Sequence, residues 1–105
     1  MYAVIFKAKI NILADDYFEM AERMRTLAMN KYGCVEFTSL TEGEQEISIS
    51  YWETKEQIQQ WKSDPKHMRA QALGREKWYS SYDVQVVKIL REYQYKGAEP
   101  LNNNL

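Results

Sequence analysis

Cys34 is the only cysteine, so no intramolecular disulfide can form, and a reducing compartment is the expected setting. Histidine is equally scarce, with His67 standing alone. One His and one Cys cannot build a zinc or non-haem iron site without several carboxylates, and no clustered carboxylate motif is present. A metal centre is therefore not expected. With 4 glycines, the chain has no Gly-rich phosphate loop, no dinucleotide fingerprint and no G-x-S-x-G elbow, which argues against nucleotide cofactors and standard hydrolase chemistry. Neither sign of charge dominates. Fourteen basic residues against 15 acidic leave a net charge of −1, and the scattered basic residues give no footprint for nucleic acid or an anionic membrane. The opening MYAVIFKAKI is broken by Lys7 and Lys9 and is too short for a signal peptide or membrane span, so a cytoplasmic location is expected.

What is present is ordinary globular material with many rings. A chain of 105 residues, 45% hydrophobic and 28% charged, is expected to form one domain. Aromatics make up 13%, with 8 Tyr and 3 Trp, residues that serve cores, interfaces and pocket walls.

Tyr2 to Lys9 is rich in β-formers and reads as a strand. From Asp15 the period changes: Tyr17, Met20, Ala21, Met24, Leu27 and Ala28 form an apolar helical stripe, with acids at its start, bases towards its end and Gly33 as a stop. Cys34 to Leu40 and Glu46 to Trp52 read as a hairpin around Gly43. In the second of these strands Ile47, Ile49 and Tyr51 share one face, and Ser48, Ser50 and Trp52 the other. Thr54 with Gln57 forms a capping box, and Asp64-Pro65 starts a further helix expected to run to about Tyr79. Tyr82 to Tyr93 is the expected last strand. The domain is read as residues 1–93, and 94–105 as a frayed, flexible tail.

This order, β-α-β-β-α-β with a broken second helix, predicts an α+β ferredoxin-like fold with a four-stranded antiparallel sheet. Helices cover only one side of such a sheet, yet three strands carry apolar or aromatic residues on both sides. A second copy of the chain would cover the other side, so a homodimer with two facing sheets, a dimeric α+β barrel, is expected.

His67 is the only side chain expected to titrate near neutral pH unaided, and at helical spacing it shares a stripe with Gln71, Gly74 and Trp78. An acid/base group, an amide, a gap and a ring could line a pocket for a flat molecule; an ordinary helix with a capping histidine reads the same way. Trp61 fits a buried face with Ile58. Trp52 is placed less firmly, and Tyr51 and Tyr82 could offer a phenol to a ligand or cap the barrel ends. Arg69 and Arg75 suit an anionic oxygen or simply a solvated helix face. Cys34 reads as a small buried apolar residue.

The run ISISYWETKEQIQQWKSDPKHMRAQALGREKWYSSY, residues 47–82, resembles the signature stretch of the antibiotic biosynthesis monooxygenase family. The matching positions are Ser50, Tyr51, Trp52, Ile58, Trp61, His67, Ala70, Gln71, Gly74, Arg75, Trp78, Tyr79 and Tyr82. The resemblance implies a dimeric α+β barrel that oxidises a small phenol- or quinol-like ring with molecular oxygen and no cofactor. On that reading Trp52, Gln71 and Trp78 bind the substrate. His67 or Tyr51 manages the proton, and Arg75 or Gln71 holds the oxygen anion. Two alternatives stay open: a dimer that binds a small hydrophobic or aromatic ligand without turnover, and a haem-degrading monooxygenase. The haem branch resembles this chain around Trp61-Lys62-Ser63-Asp64, but it carries an Asn on its first strand that is missing here. An ungapped match also puts Ala70 where its iron-binding His falls.

Overall fold

In the computed structural model, which describes residues 1–11 and 15–97, strand β1 (Tyr2–Ile10) leads into helix α1 (Asp15–Lys31). Asp15 and Asp16 occupy the first turn of α1 and Lys31 the last, each favourable against the helix dipole. The helix stops where Gly33 takes φ 80°, a left-handed conformation that costs glycine little, and Cys34 N–H donates to Ala28 C=O at 2.9 Å. That bond keeps Cys34 out of the following strand. β2 therefore spans Glu36–Glu42 rather than starting at Cys34, and Cys34 sits buried in the core as expected.

The hairpin to β3 (Gln45–Trp52) turns tightly: Glu42 pairs with Gln45, and Gly43 takes φ 60° between them. Thr54 then caps α2 (Lys55–Lys62) with both halves of the capping box formed. Asp64 caps α3 (Pro65–Leu73), accepting from Lys66 N–H at 2.8 Å and from the Tyr32 hydroxyl at 2.6 Å. The expected helix to Tyr79 stops being α-helical at Leu73. Gly74–Trp78 winds instead as a π-helical turn, which delivers Tyr79 straight into β4 (Tyr79–Lys88).

The sheet order is β2-β3-β1-β4 and every pairing is antiparallel. The last strand was expected over Tyr82 to Tyr93. It starts earlier because the π-helical turn places Tyr79 opposite Ile10. It ends earlier because Lys88 already pairs with Tyr2, the first residue of β1, and beyond that pair Ile89 N–H donates to Met1 C=O at 3.0 Å. Of the expected tail, residues 98–105 lie outside the described residues. Among the described residues, no helix is long and apolar enough to cross a membrane.

Register decides what each face carries. On the helix-covered face Trp52, Ser50, Ser48 and Glu46 of β3 lie beside Val4 and Phe6 of β1, and Val86, Val84 and Tyr82 of β4 follow. Trp52 is fully buried there, 5.1 Å from the ring of Trp61, in a cluster with Val4, Met24, Ala28, Cys34 and Ile58. Its indole N–H donates to Ser50 Oγ at 2.9 Å, so the polar end of the ring is satisfied inside the core. The opposite face carries Ile5, Ile47, Ile49, Tyr51, Leu40 and Val87. Among the described residues no element packs over it, and Leu40 is 72% and Ile47 42% exposed.

Candidate functional site

Between the covered face of the sheet and the three helices lies a cavity of about 170 Å³. Its walls are mostly apolar: Phe6, Met20, Met24 and Phe37, with Trp61 and Trp78. Phe6 holds the rings of Tyr79 and Tyr82 at 5.3 and 5.6 Å, and Trp78 meets Tyr17 edge-on at 5.6 Å.

His67 lines this cavity from the first turn of α3, where the Asp64-Pro65 start fixes its direction. Its ring meets Trp61 edge-on, centroids 4.2 Å apart. Burial, followed by the positive charge of Lys62 and opposed by Asp64, pushes its pKa down to about 4, so at neutral pH the imidazole is uncharged. His67 Nδ1, Trp61 Nε1 and Trp78 Nε1 are all buried without a hydrogen-bond partner among the described residues. Unpaired buried polar atoms beside a cavity are uncommon, and they offer bonding capacity to a ligand.

A second polar group lies in the same cavity, formed by side chains that the sequence reading did not single out. Glu46, 6% exposed, projects from the start of β3 on the covered face. The Tyr17 hydroxyl donates to Glu46 Oε2, the Tyr79 hydroxyl approaches the same oxygen at 3.5 Å, and Ser48 Oγ lies 3.4 Å from Oε1. Ser48 Oγ is also 2.8 Å from Ser39 Oγ across the hairpin. Burial first, and then the carboxylate partner, hold the Tyr17 phenol far above its ordinary pKa. Burial first, then the charge of Glu46, raises Tyr79 as well. A signal for this group was present in the alternation Glu46, Ser48, Ser50. That row reads as a solvent face until the sheet shows it lying under the helices.

Of the six site residues expected from sequence, His67, Gln71 and Trp78 line the cavity together. Trp52 sits beneath it, behind Trp61, as part of the core. Tyr51 alternates with Trp52 and points to the uncovered face, away from the cavity. Arg75 is exposed on the π-helical turn and donates to the Tyr82 hydroxyl at 3.1 Å, touching the site only through that tyrosine. Ala70 is half-buried on the cavity wall one turn after His67. No group of three or more metal-ligating side chains occurs among the described residues.

No protein-family model matches the chain. Over 92 residues it is 37% identical to the uncharacterized protein YqjZ of Bacillus subtilis (strain 168), covering 87% of this chain and 81% of that protein. The chain belongs to the YqjZ family. Solved structures give this YqjZ relative its fold. It superposes with a TM-score of 0.74 on SnoaB, a cofactor-independent oxygenase from Streptomyces nogalater, at 11% identity, covering 87% of this chain and 94% of that one. An antibiotic biosynthesis monooxygenase structure matches with a TM-score of 0.71 at 12% identity, covering 87% and 100%. The YqjZ relative thus has the ferredoxin-like fold of the antibiotic biosynthesis monooxygenases, as its signature stretch implied.

Proposed function

We propose that the protein is a monooxygenase that oxidises a small hydroxylated aromatic ring with molecular oxygen, the ring held in the cavity by Trp61, Trp78 and Phe37. The observation that carries this reading is an apolar cavity, walled by aromatic side chains, in which the buried ring nitrogens of Trp61, Trp78 and the neutral His67 have no hydrogen-bond partner among the described residues. Such walls position a flat molecule, which is the protein's main task in this chemistry. The net reaction is a phenol plus O2 giving a quinone plus water. One oxygen atom joins the ring, and the other leaves with the ring hydrogen and the hydroxyl hydrogen. The shared fold with a structure described as a cofactor-independent oxygenase supports the reading.

His67 serves as a hydrogen-bonding group to the bound ring or to reduced oxygen rather than as a strong base, because burial disfavours its protonated form. Gln71 lies one turn further along α3 and offers an amide to the same ligand. Arg75 acts through Tyr82, and Trp52 supports Trp61 from behind.

The uncovered face belongs to a homodimer. Ile5, Leu40, Ile47, Ile49 and Tyr51 form an apolar surface with no element over it among the described residues, and a second sheet of the same kind fits it face to face. Native mass spectrometry of protein purified from cells, followed by oxygen-uptake assays with simple phenols and quinols, tests the reading. A dimer that retains an aromatic ligand and consumes oxygen supports it. A dimer that binds rings without oxygen uptake would make this a binding module instead.

A further inference from the structure

The cavity has two polar groups of opposite character. Around His67 and Trp61 the unpartnered atoms are on aromatic rings, and the cationic side chain of Lys62 on the wall is exposed beside them. Around Glu46 there is a buried carboxylate with no basic partner among the described residues. A buried carboxylate needs donors, and here hydroxyls supply them. Their distribution is uneven. Oε2 receives the Tyr17 hydroxyl and a long approach from Tyr79, whereas Oε1 has only Ser48 at 3.4 Å. Ser48 Oγ is meanwhile closer to Ser39, at 2.8 Å. Oε1 therefore retains acceptor capacity in a cavity whose walls are mostly apolar.

We propose that Glu46 anchors the substrate by accepting its hydroxyl hydrogen on Oε1, with Tyr17 holding the carboxylate in place, and that this selects neutral hydroxylated rings over carboxylated ones. The inference rests on the ring-binding reading above and adds the residue that recognises the substrate and its charge. It also gives the proton a route. A neutral phenol is a weak acid, but a phenol that has lost an electron is a strong one. As one electron leaves the ring for O2, the O–H bond breaks and the proton passes to Glu46. The aryloxyl radical and superoxide join through a new carbon–oxygen bond, and the resulting ring peroxide anion takes the proton back from Glu46. Loss of water then leaves the quinone.

The test is equilibrium binding of 1-naphthol, its methyl ether and 1-naphthoate to the full chain, read by quenching of tryptophan fluorescence. Wild-type protein is expected to favour the naphthol over the ether by about tenfold, the worth of one hydrogen bond to a charged acceptor. It is expected to bind naphthoate more weakly than the ether. Glu46→Met, which keeps the length and removes both acceptor atoms, should bring the naphthol-to-ether ratio close to one. A wild-type protein that does not discriminate, or that binds naphthoate as well as naphthol, overturns the proposal however the variant folds. So does a folded Met variant that keeps the preference. Oxygen uptake separates the two readings. Uptake without naphthol preference sinks the role of Glu46 alone, and preference without uptake sinks only the monooxygenase reading.

Discussion

Acid should destabilise this protein through one identifiable side chain. His67 is held near pKa 4 in the folded chain against 6.5 for a free imidazole, with burial as the first cause and Lys62 as the second. The folded state thus binds fewer protons than the unfolded state between those two values. Stability is fully present above pH 6.5 and falls as the pH drops towards 4, because the unfolded chain gains a proton that the folded chain refuses. Integrating the two titrations gives a loss of about 2 kcal/mol by pH 5 and about 3 kcal/mol by pH 4. Asp64 works in the opposite direction on His67 but does not reverse the sign. The assay is urea denaturation, followed by circular dichroism, of wild type and His67→Phe across that range. Carboxylates contribute equally to both proteins and cancel in the difference. Whatever its offset at neutral pH, the variant should gain on wild type by about 2–3 kcal/mol on going from pH 7 to about pH 4. Parallel curves for the two proteins would show that His67 is solvated, and would remove the argument that burial keeps it neutral.

Three further outcomes follow from the geometry. A methyl group at Gly74 would lie 2.8 and 2.9 Å from the Tyr79 ring, so Gly74→Ala should cost about 1–3 kcal/mol in chemical denaturation. Tyr17→Phe removes the best donor to buried Glu46 and should cost about 1.5–3 kcal/mol, measured the same way. Replacing Leu40 and Ile47 together with Lys should turn a dimer into a folded monomer in size-exclusion chromatography with light scattering; a dimer that survives both changes would place the interface elsewhere.

Much of the fold was legible in the sequence because local signals agreed: the capping box at Thr54, the Asp64-Pro65 start, Gly43 in its turn and the helical stripe of Tyr17, Met24 and Ala28. Element ends were less legible, since they depend on partners. β4 ends at Lys88 because Lys88 already pairs with Tyr2, the first residue of β1, and Cys34 leaves β2 because it caps α1. Within the site, His67, Gln71 and Trp78 could be found from helical spacing alone. Glu46 could not, because alternation in a strand divides residues between two faces without saying which face the helices cover. In β3 they cover the face with Glu46 and the serines and leave the isoleucines open, the reverse of what hydropathy suggests.

The π-helical turn at Gly74–Trp78 has a bearing on how such a pocket can diversify. A π-helical turn holds one residue more than the α-helical turn it replaces, and here it sits immediately before Tyr79. A homologue that loses one residue there would close an ordinary α-helical turn and shift every later side chain to the other side of β4. Asp83 and Gln85 would then stand where Tyr82 and Val84 now do. A single codon gained or lost could thus rewrite one whole wall of the cavity at once, a route to new ligands that point substitutions would need several steps to match.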